Sequence, residues 1–237
     1  MAPTAGTTGS GPAAFASIMG AGGKSTVYFV DKEGTIQAWQ QRRLVPESMY
    51  LDPPKNPKND KEALLAKDKN LWNRRNYDLP EVSTQESKVI KTASGDLSVV
   101  TLTEGGAASG QYQVRLYYAS DKKDTGGVSI LSELCLDLDP ADGYKPTGKF
   151  SNAEGAGPDG YWYKGQLDEA KIEVKEGSSI SAHVQLGKTP AASAVKVYYW
   201  PANPKPSKDG YGAEDRPAIA WITLDYKYGW LSTESGI

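Results

Sequence analysis

In 237 residues the chain has one cysteine, Cys135, and one histidine, His183. A single cysteine excludes an intramolecular disulfide and any cysteine-rich zinc site. A single histidine excludes His-clustered metal centres and disfavours a His-based triad, so no metal and no cofactor are expected. Long hydrophobic runs are also missing. None approaches the roughly 20 residues that span a bilayer. The N-terminus "MAPTAGTTGSGPAAFASIMG" lacks the basic region and long apolar core of a signal peptide. A cytoplasmic protein, or one secreted after a leader is removed, fits that start. An excess of one charge is lacking too: the formal net charge is −2. That argues against nucleic acid or an anionic membrane surface as a partner.

What the chain does have is aromatic and β-branched residues. The apolar fraction is a modost 38%, yet there are 14 Tyr and 6 Trp, enough to build a core. Alternating stretches predict strands almost throughout: 13–19, 26–30, 35–41, 96–103, 112–120, 130–138, 160–167, 178–186, 194–200, 218–226 and 228–234. Gly, Pro, Asn and Asp clusters separate them, as turns require. Only "NDKEALLAKDKNLW" (59–72) reads as helical, inside a polar insertion over 42–69. The expected class is all-β.

The strands repeat. "VRLYYASD" (114–121) and "VKVYYWPA" (195–202) are alike, and "TVYFVD" (26–31) is a weaker third copy. Each has one strand before it and two after it, the last bearing aromatics. The chain therefore parses into three four-stranded units within one domain, at roughly 12–80, 95–168 and 178–235. Four antiparallel strands per repeat, repeated radially, make a β-propeller blade. Three blades do not close a ring, since about four to eight are usual. The expectation is a homodimer that completes a six-bladed ring. The alternative is half of a longer propeller.

The repeat resembles the fungal fucose-specific lectin family of six-bladed propellers. The family pattern is an Arg-Val-Tyr strand, a strand with Glu ahead of an aromatic or Cys, and a Gly-Trp-Tyr-x-Gly strand. Blade 2 matches best, with Arg115 in "VRLYY", Glu133 in "SELCLD" and "YWYKGQ" at 161–166. The resemblance implies a sugar site between adjacent blades. Arg and Glu grip neighbouring hydroxyls through charge-assisted hydrogen bonds, and an aromatic covers the apolar face of the ring. Carried over between blades 2 and 3, it implies Arg115 and Glu133 as the polar pair and Trp230 as the stacking aromatic. It also implies Val195 as the apolar wall, Leu224 in place of a hydrogen-bonding Trp, and Gln166 in place of a small residue. In blade 1 the polar pair becomes Thr26 and Ala38; in blade 3 it becomes Lys196 and Trp221.

Other motifs weigh less. "GAGGKST" resembles a phosphate loop, but the Gly required five residues before Gly23 is Ile18, and a strand follows where a helix should. "DLDPADG" (137–143) has three aspartates without the EF-hand spacing. Cys135 reads as a small core residue, and His183 as a strand histidine. The mixed-charge run 55–70 reads as a solvated loop.

Two functions follow from these residues. One is a divergent fucose-lectin-like protein that binds sugar through Arg115, Glu133 and Trp230. The other is a pocket adapted to a less polar natural product, with Lys196, Trp221, Leu224 and Trp200 nearby. That second pocket would suit a cofactor-independent fungal cyclase or Diels–Alderase of secondary metabolism, working by shape and hydrogen bonding. An adaptor role is a third option.

Overall fold

The structure is a computed structural model that describes residues 14–19, 25–41, 72–73, 90–102, 112–123, 126–139, 145–146, 162–204 and 216–233. The helix expected at 59–72 lies outside them, apart from Trp72, which is in a strand. Among the described residues there is no α-helix.

Three antiparallel sheets follow one another along the chain. Sheet 1 is β1 (Ala14–Met19), β2 (Ser25–Val30), β3 (Ile36–Gln41) and β4 (Trp72–Asn73), in that order. Sheet 2 begins with three long strands, β5 (Thr92–Leu102), β6 (Tyr112–Lys123) and β7 (Ser129–Asp139). Three short segments share the outer edge of β7: β8 (Lys145–Pro146), β9 (Tyr163–Lys164) and β10 (Glu173–Val174). Sheet 3 is β11 (Ser181–Gln185), β12 (Ala194–Tyr199), β13 (Ala218–Thr223) and β14 (Leu231–Ser232). β5 packs against β1 on one side and β11 on the other. First strands side by side, with later strands radiating outward, are the arrangement of propeller blades.

Local chemistry explains the turns. In the β2–β3 hairpin Asp31 Oδ1 accepts from the backbone N–H of Glu33 and Thr35, and Gly34 takes φ +78°. That positive φ suits glycine. The run "GAGGKST" joins β1 to β2, whose ends pair Met19 with Ser25, so it connects two strands and leads into no helix. Of the stretch 160–167, expected as one strand, the described residues form the two-residue β9 and then enter a 3-10 helix at Gln166–Ala170. Asp168 on that helix accepts from the backbone N–H of Glu133 at 3.1 Å, so a side chain takes over from a further ladder bond.

Two cores hold the sheets together. Leu116, Leu134, Leu136 and Trp162 face sheet 1, where they meet Tyr28, Val30 and Ile36. Tyr117, Ala119 and Leu131 belong to the core shared with Val195, Val197, Tyr199 and Ile222 of sheet 3. Strand alternation therefore sends successive β6 residues into different cores. The inner strands are also tied by side chains: the backbone N–H of Ile180 and Ala182 donate to Asp96 Oδ2 and Ser98 Oγ, at 2.9 and 2.8 Å.

Leu136 is fully buried. Leu136→Ala should cost about 2–5 kcal/mol by the usual cavity penalty. Leu186→Ala, at a residue 72% exposed, should stay within about 0.5 kcal/mol. Denaturant unfolding of both variants checks the assignment of the first core.

Candidate functional site

The register of β6 and β7 assembles the site. Gln113 stands opposite Asp137, Arg115 opposite Cys135, and Tyr117 opposite Glu133. With a side-chain period of two, all six share one face of sheet 2. That face looks toward sheet 3, where Ile222, Tyr226 and Trp230 form the opposing wall. Between them lies a cavity of about 350 Å³, floored by Arg115, Glu133 and Gly165.

Arg115 and Glu133 form an ion pair with Nη1 3.1 Å from Oε1 and side chains only 6% and 1% exposed. A pair this deep needs its remaining polar atoms met. Tyr117 donates its hydroxyl to Glu133 Oε1 at 2.9 Å. Gln113 Oε1 accepts from Arg115 Nε, and Tyr226 Oη accepts from Nη2 at 2.6 Å. Burial, the largest single influence, opposes the charge on Arg115, but Glu133 together with Cys135, Tyr117 and Tyr226 outweighs it and holds the guanidinium well above its ordinary value. Burial and then Glu133 push the Tyr117 phenol far up, so it stays a donor. Burial and then Glu133 do the same to the Cys135 thiol, which is therefore a neutral wall and no nucleophile.

A second cluster stands behind Gln113. Its Nε2 donates to Asp137 Oδ1 at 2.8 Å and to Tyr163 Oη at 2.9 Å. The Tyr163 hydroxyl in turn donates to the Asp137 carboxylate. Burial pushes Asp137 up to about 6, against the opposing pull of Gln113, Tyr163 and Arg115. Among the described residues no group of three His, Cys, Asp or Glu side chains could hold a metal ion.

Of the residues expected from sequence, Arg115, Glu133, Gln166 and Trp230 line the cavity. Trp230 packs edge-on to Tyr117, with ring centres 6.0 Å apart, and its indole N–H has no hydrogen-bond partner among the described residues. Val195 and Leu224 do not reach the cavity; both are buried in the core between sheets 2 and 3. Ile222, paired with Val195 across the sheet, forms the apolar wall instead. Two residues beyond Leu224, Tyr226 supplies the polar contact. Its φ of +54° is a left-handed conformation that a bulky side chain rarely adopts. That turn brings its ring over Arg115, 5.4 Å from the guanidinium carbon. Strand alternation could have found Gln113 and Asp137, but no sequence signal marks Tyr226.

Lys196 and Trp221 stand opposite each other on the face of sheet 3 away from the cavity, half-buried. The register also refines the repeat. Glu133 is opposite Tyr117, so its counterpart opposite Tyr198 is Ile219, whereas Trp221 takes the place of Cys135. Between sheets 1 and 2 the described residues at the equivalent position are packed together. Tyr28 and Trp162 pack edge-on there at 5.7 Å, just as Tyr117 and Trp230 do, but Thr26 and Ala38 replace the ion pair. Trp162 is only 1% exposed.

Gly165 is fixed by this geometry. A Cβ on it would overlap the carboxylate of Glu133, which is buried and held by Arg115 and Tyr117. Gly165→Ala should therefore cost about 1–3 kcal/mol, as overpacking does. An unchanged unfolding midpoint would show that Glu133 is not held against Gly165.

The sequence matches no family model and no curated protein. Solved structures give similar folds at low identity. Aleuria aurantia lectin in complex with Fucα1-6GlcNAc is 19% identical with a TM-score of 0.44, covering 92% of this chain and 47% of the lectin. The fucose-specific lectin from Aleuria aurantia in its mercury-derivative form is 20% identical with a TM-score of 0.43, covering 92% and 46%. SapL1 lectin in complex with α-methyl fucoside is 16% identical with a TM-score of 0.43, covering 92% and 47%. The fold of Aleuria aurantia lectin is a six-bladed β-propeller. The chain is similar to these lectins over nearly its whole length and spans about half of theirs.

Proposed function

We propose that the protein binds a carbohydrate of the fucose type in the cavity between sheets 2 and 3. The observation that carries this reading is the buried Arg115–Glu133 pair lining that cavity beside Trp230. Vicinal sugar hydroxyls both donate and accept, so they suit a donor-only guanidinium set against an acceptor-only carboxylate. Arg115 has five N–H groups; Gln113, Glu133 and Tyr226 take one each. The cavity volume lies at the lower end of ligand pockets, consistent with one small ring. A polar pair at its centre favours a sugar over the apolar natural product of a cyclase.

The carbohydrate reading has a direct check. Isothermal titration with methyl α-L-fucoside should show binding by the native chain. Glu133→Gln keeps the shape but removes the charged acceptor, and Arg115→Lys removes the fork. Each should weaken binding roughly 10- to 100-fold, the worth of a charge-assisted hydrogen bond. Native protein that does not bind the fucoside at millimolar concentration would sink the assignment.

We infer further that two chains associate, each adding three blades to a six-bladed ring. The support is the outer face of sheet 3, where the apolar side chains of Tyr198, Ile219 and Trp221 are only partly buried, and the similarity to half of a six-bladed propeller. Sedimentation equilibrium should give twice the chain mass of 25.5 kDa, and Trp221→Glu should lower it. A stable monomer at all concentrations contradicts the ring.

A further inference from the structure

Arg115 is aimed by a residue that is itself held from behind. Gln113 lies between two groups of opposite hydrogen-bonding character. On one side is the guanidinium of Arg115, which can only donate. On the other is Asp137, 1% exposed, whose ionised carboxylate can only accept. An amide between them has one workable orientation, with its NH₂ toward Asp137 and its oxygen toward Arg115 Nε. The observed contacts have that sense throughout, and Tyr163 fastens the carboxylate by donating its hydroxyl.

We propose that Asp137 is a positioning residue of the site: its negative charge locks the Gln113 amide, and through it the Arg115 guanidinium, in the ligand-binding orientation. The ligand half of this statement rests on the carbohydrate reading above; the positioning half does not. The groups facing Asp137 are few. β6 contributes Gln113 and, beyond it, Arg115, while β9 contributes Tyr163. Cys135, Glu133 and Asp139 share its face of β7. β8 places Pro146 opposite Leu138 and Lys145 opposite Asp139, so a carboxylate and a lysine stand at the next position along that face. From sheet 3, Tyr226 reaches only as far as Arg115.

The charge is lost within an accessible pH range, because burial lifts Asp137 to about 6. Once protonated, the carboxyl gains a donor and no longer forces the amide orientation. The neutral carboxyl also accepts more weakly from Gln113 Nε2, so the amide, and with it Arg115, is held less firmly in the binding orientation. Sugar affinity should therefore fall as pH drops through about 6. The contribution to folding runs the other way. A carboxyl whose folded value is raised contributes stability that is full below the ordinary value near 4 and is lost as pH rises through about 6. A merely structural role would move stability and binding together; positioning separates them.

The test compares the native chain with Asp137→Asn and Tyr163→Phe from about pH 5 to about pH 7.5. Every chain compared, the otherwise native one included, carries His183→Asn, which removes the one histidine from the titration; its ring stacks on Tyr198 away from the cavity. Affinity for methyl α-L-fucoside, an uncharged probe, should drop about tenfold in the native chain toward the acid end, the scale of one lost hydrogen bond. Asp137→Asn should bind about tenfold more weakly at the upper end, show no inflection, and melt at an equal or higher temperature there. Tyr163→Phe removes a hydrogen bond that lowers Asp137, so its inflection should move to higher pH. Without any sugar, the side-chain Nε–H resonance of Arg115 should inflect near pH 6 in the native chain and stay flat in Asp137→Asn. An Arg115 signal that does not inflect, or an Asp137→Asn profile identical to the native one, overturns the proposal. An inflecting Arg115 signal in a protein that binds no fucoside overturns the carbohydrate reading alone and supports the positioning by Asp137.

Discussion

Burying Arg115 against Glu133 is the constraint from which the local structure follows. Taking both charges out of water costs several kcal/mol per ion unless geometry and further hydrogen bonds compensate. The surrounding residues supply that compensation. Tyr117 caps the carboxylate, Gln113 and Tyr226 cap the guanidinium, and Gly165 leaves the space the carboxylate occupies. Remove any one partner and a buried charge loses a bond. Arrangements of this kind are poor stabilisers compared with apolar packing. This chain has one beside an open cavity, where its first repeat has Thr26 and Ala38, and that contrast supports the proposed ligand site.

The repeat gives this contrast its force. At both junctions a tyrosine from the second strand of one sheet meets a tryptophan from the next sheet edge-on. The apolar scaffold is thus the same at each. Where Thr26 and Ala38 replace Arg115 and Glu133, the tryptophan is sealed in the core. Where the ion pair is kept, a cavity lies between sheets 2 and 3. Packing holds the sheets together at both junctions, and the polar pair is one difference between them.

Much of the architecture was legible in the sequence. Period-two alternation and turn clusters located the strands, and the Tyr-Tyr repeat set their grouping into fours. That Arg115, Glu133, Gln166 and Trp230 would lie together was legible through the resemblance to the lectin repeat, and the structure brings them to one cavity although Gln166 opens a 3-10 helix and no strand. The rest depended on relations between sheets. Whether Val195 or its neighbour Ile222 reaches the cavity is set by how two sheets stack, which no single strand records. Tyr226 depends on a left-handed turn residue that is not glycine, so no turn rule points to it. Asp137 stood out only as part of an acidic run. Its role comes from the directions of the hydrogen bonds that Gln113 and Tyr163 make, and spacing along the chain does not encode them.

The central claim is that the seam between sheets 2 and 3 is the ligand site, and a crystal structure with methyl α-L-fucoside tests it most directly. The account predicts the sugar in this seam alone. Adjacent hydroxyls should lie within hydrogen-bond distance of Arg115 and Glu133, with a ring face on Trp230 and the Tyr226 hydroxyl displaced from, or bridged to, the guanidinium. A fucoside seated at the Lys196–Trp221 face or between sheets 1 and 2, with this seam empty, would contradict it.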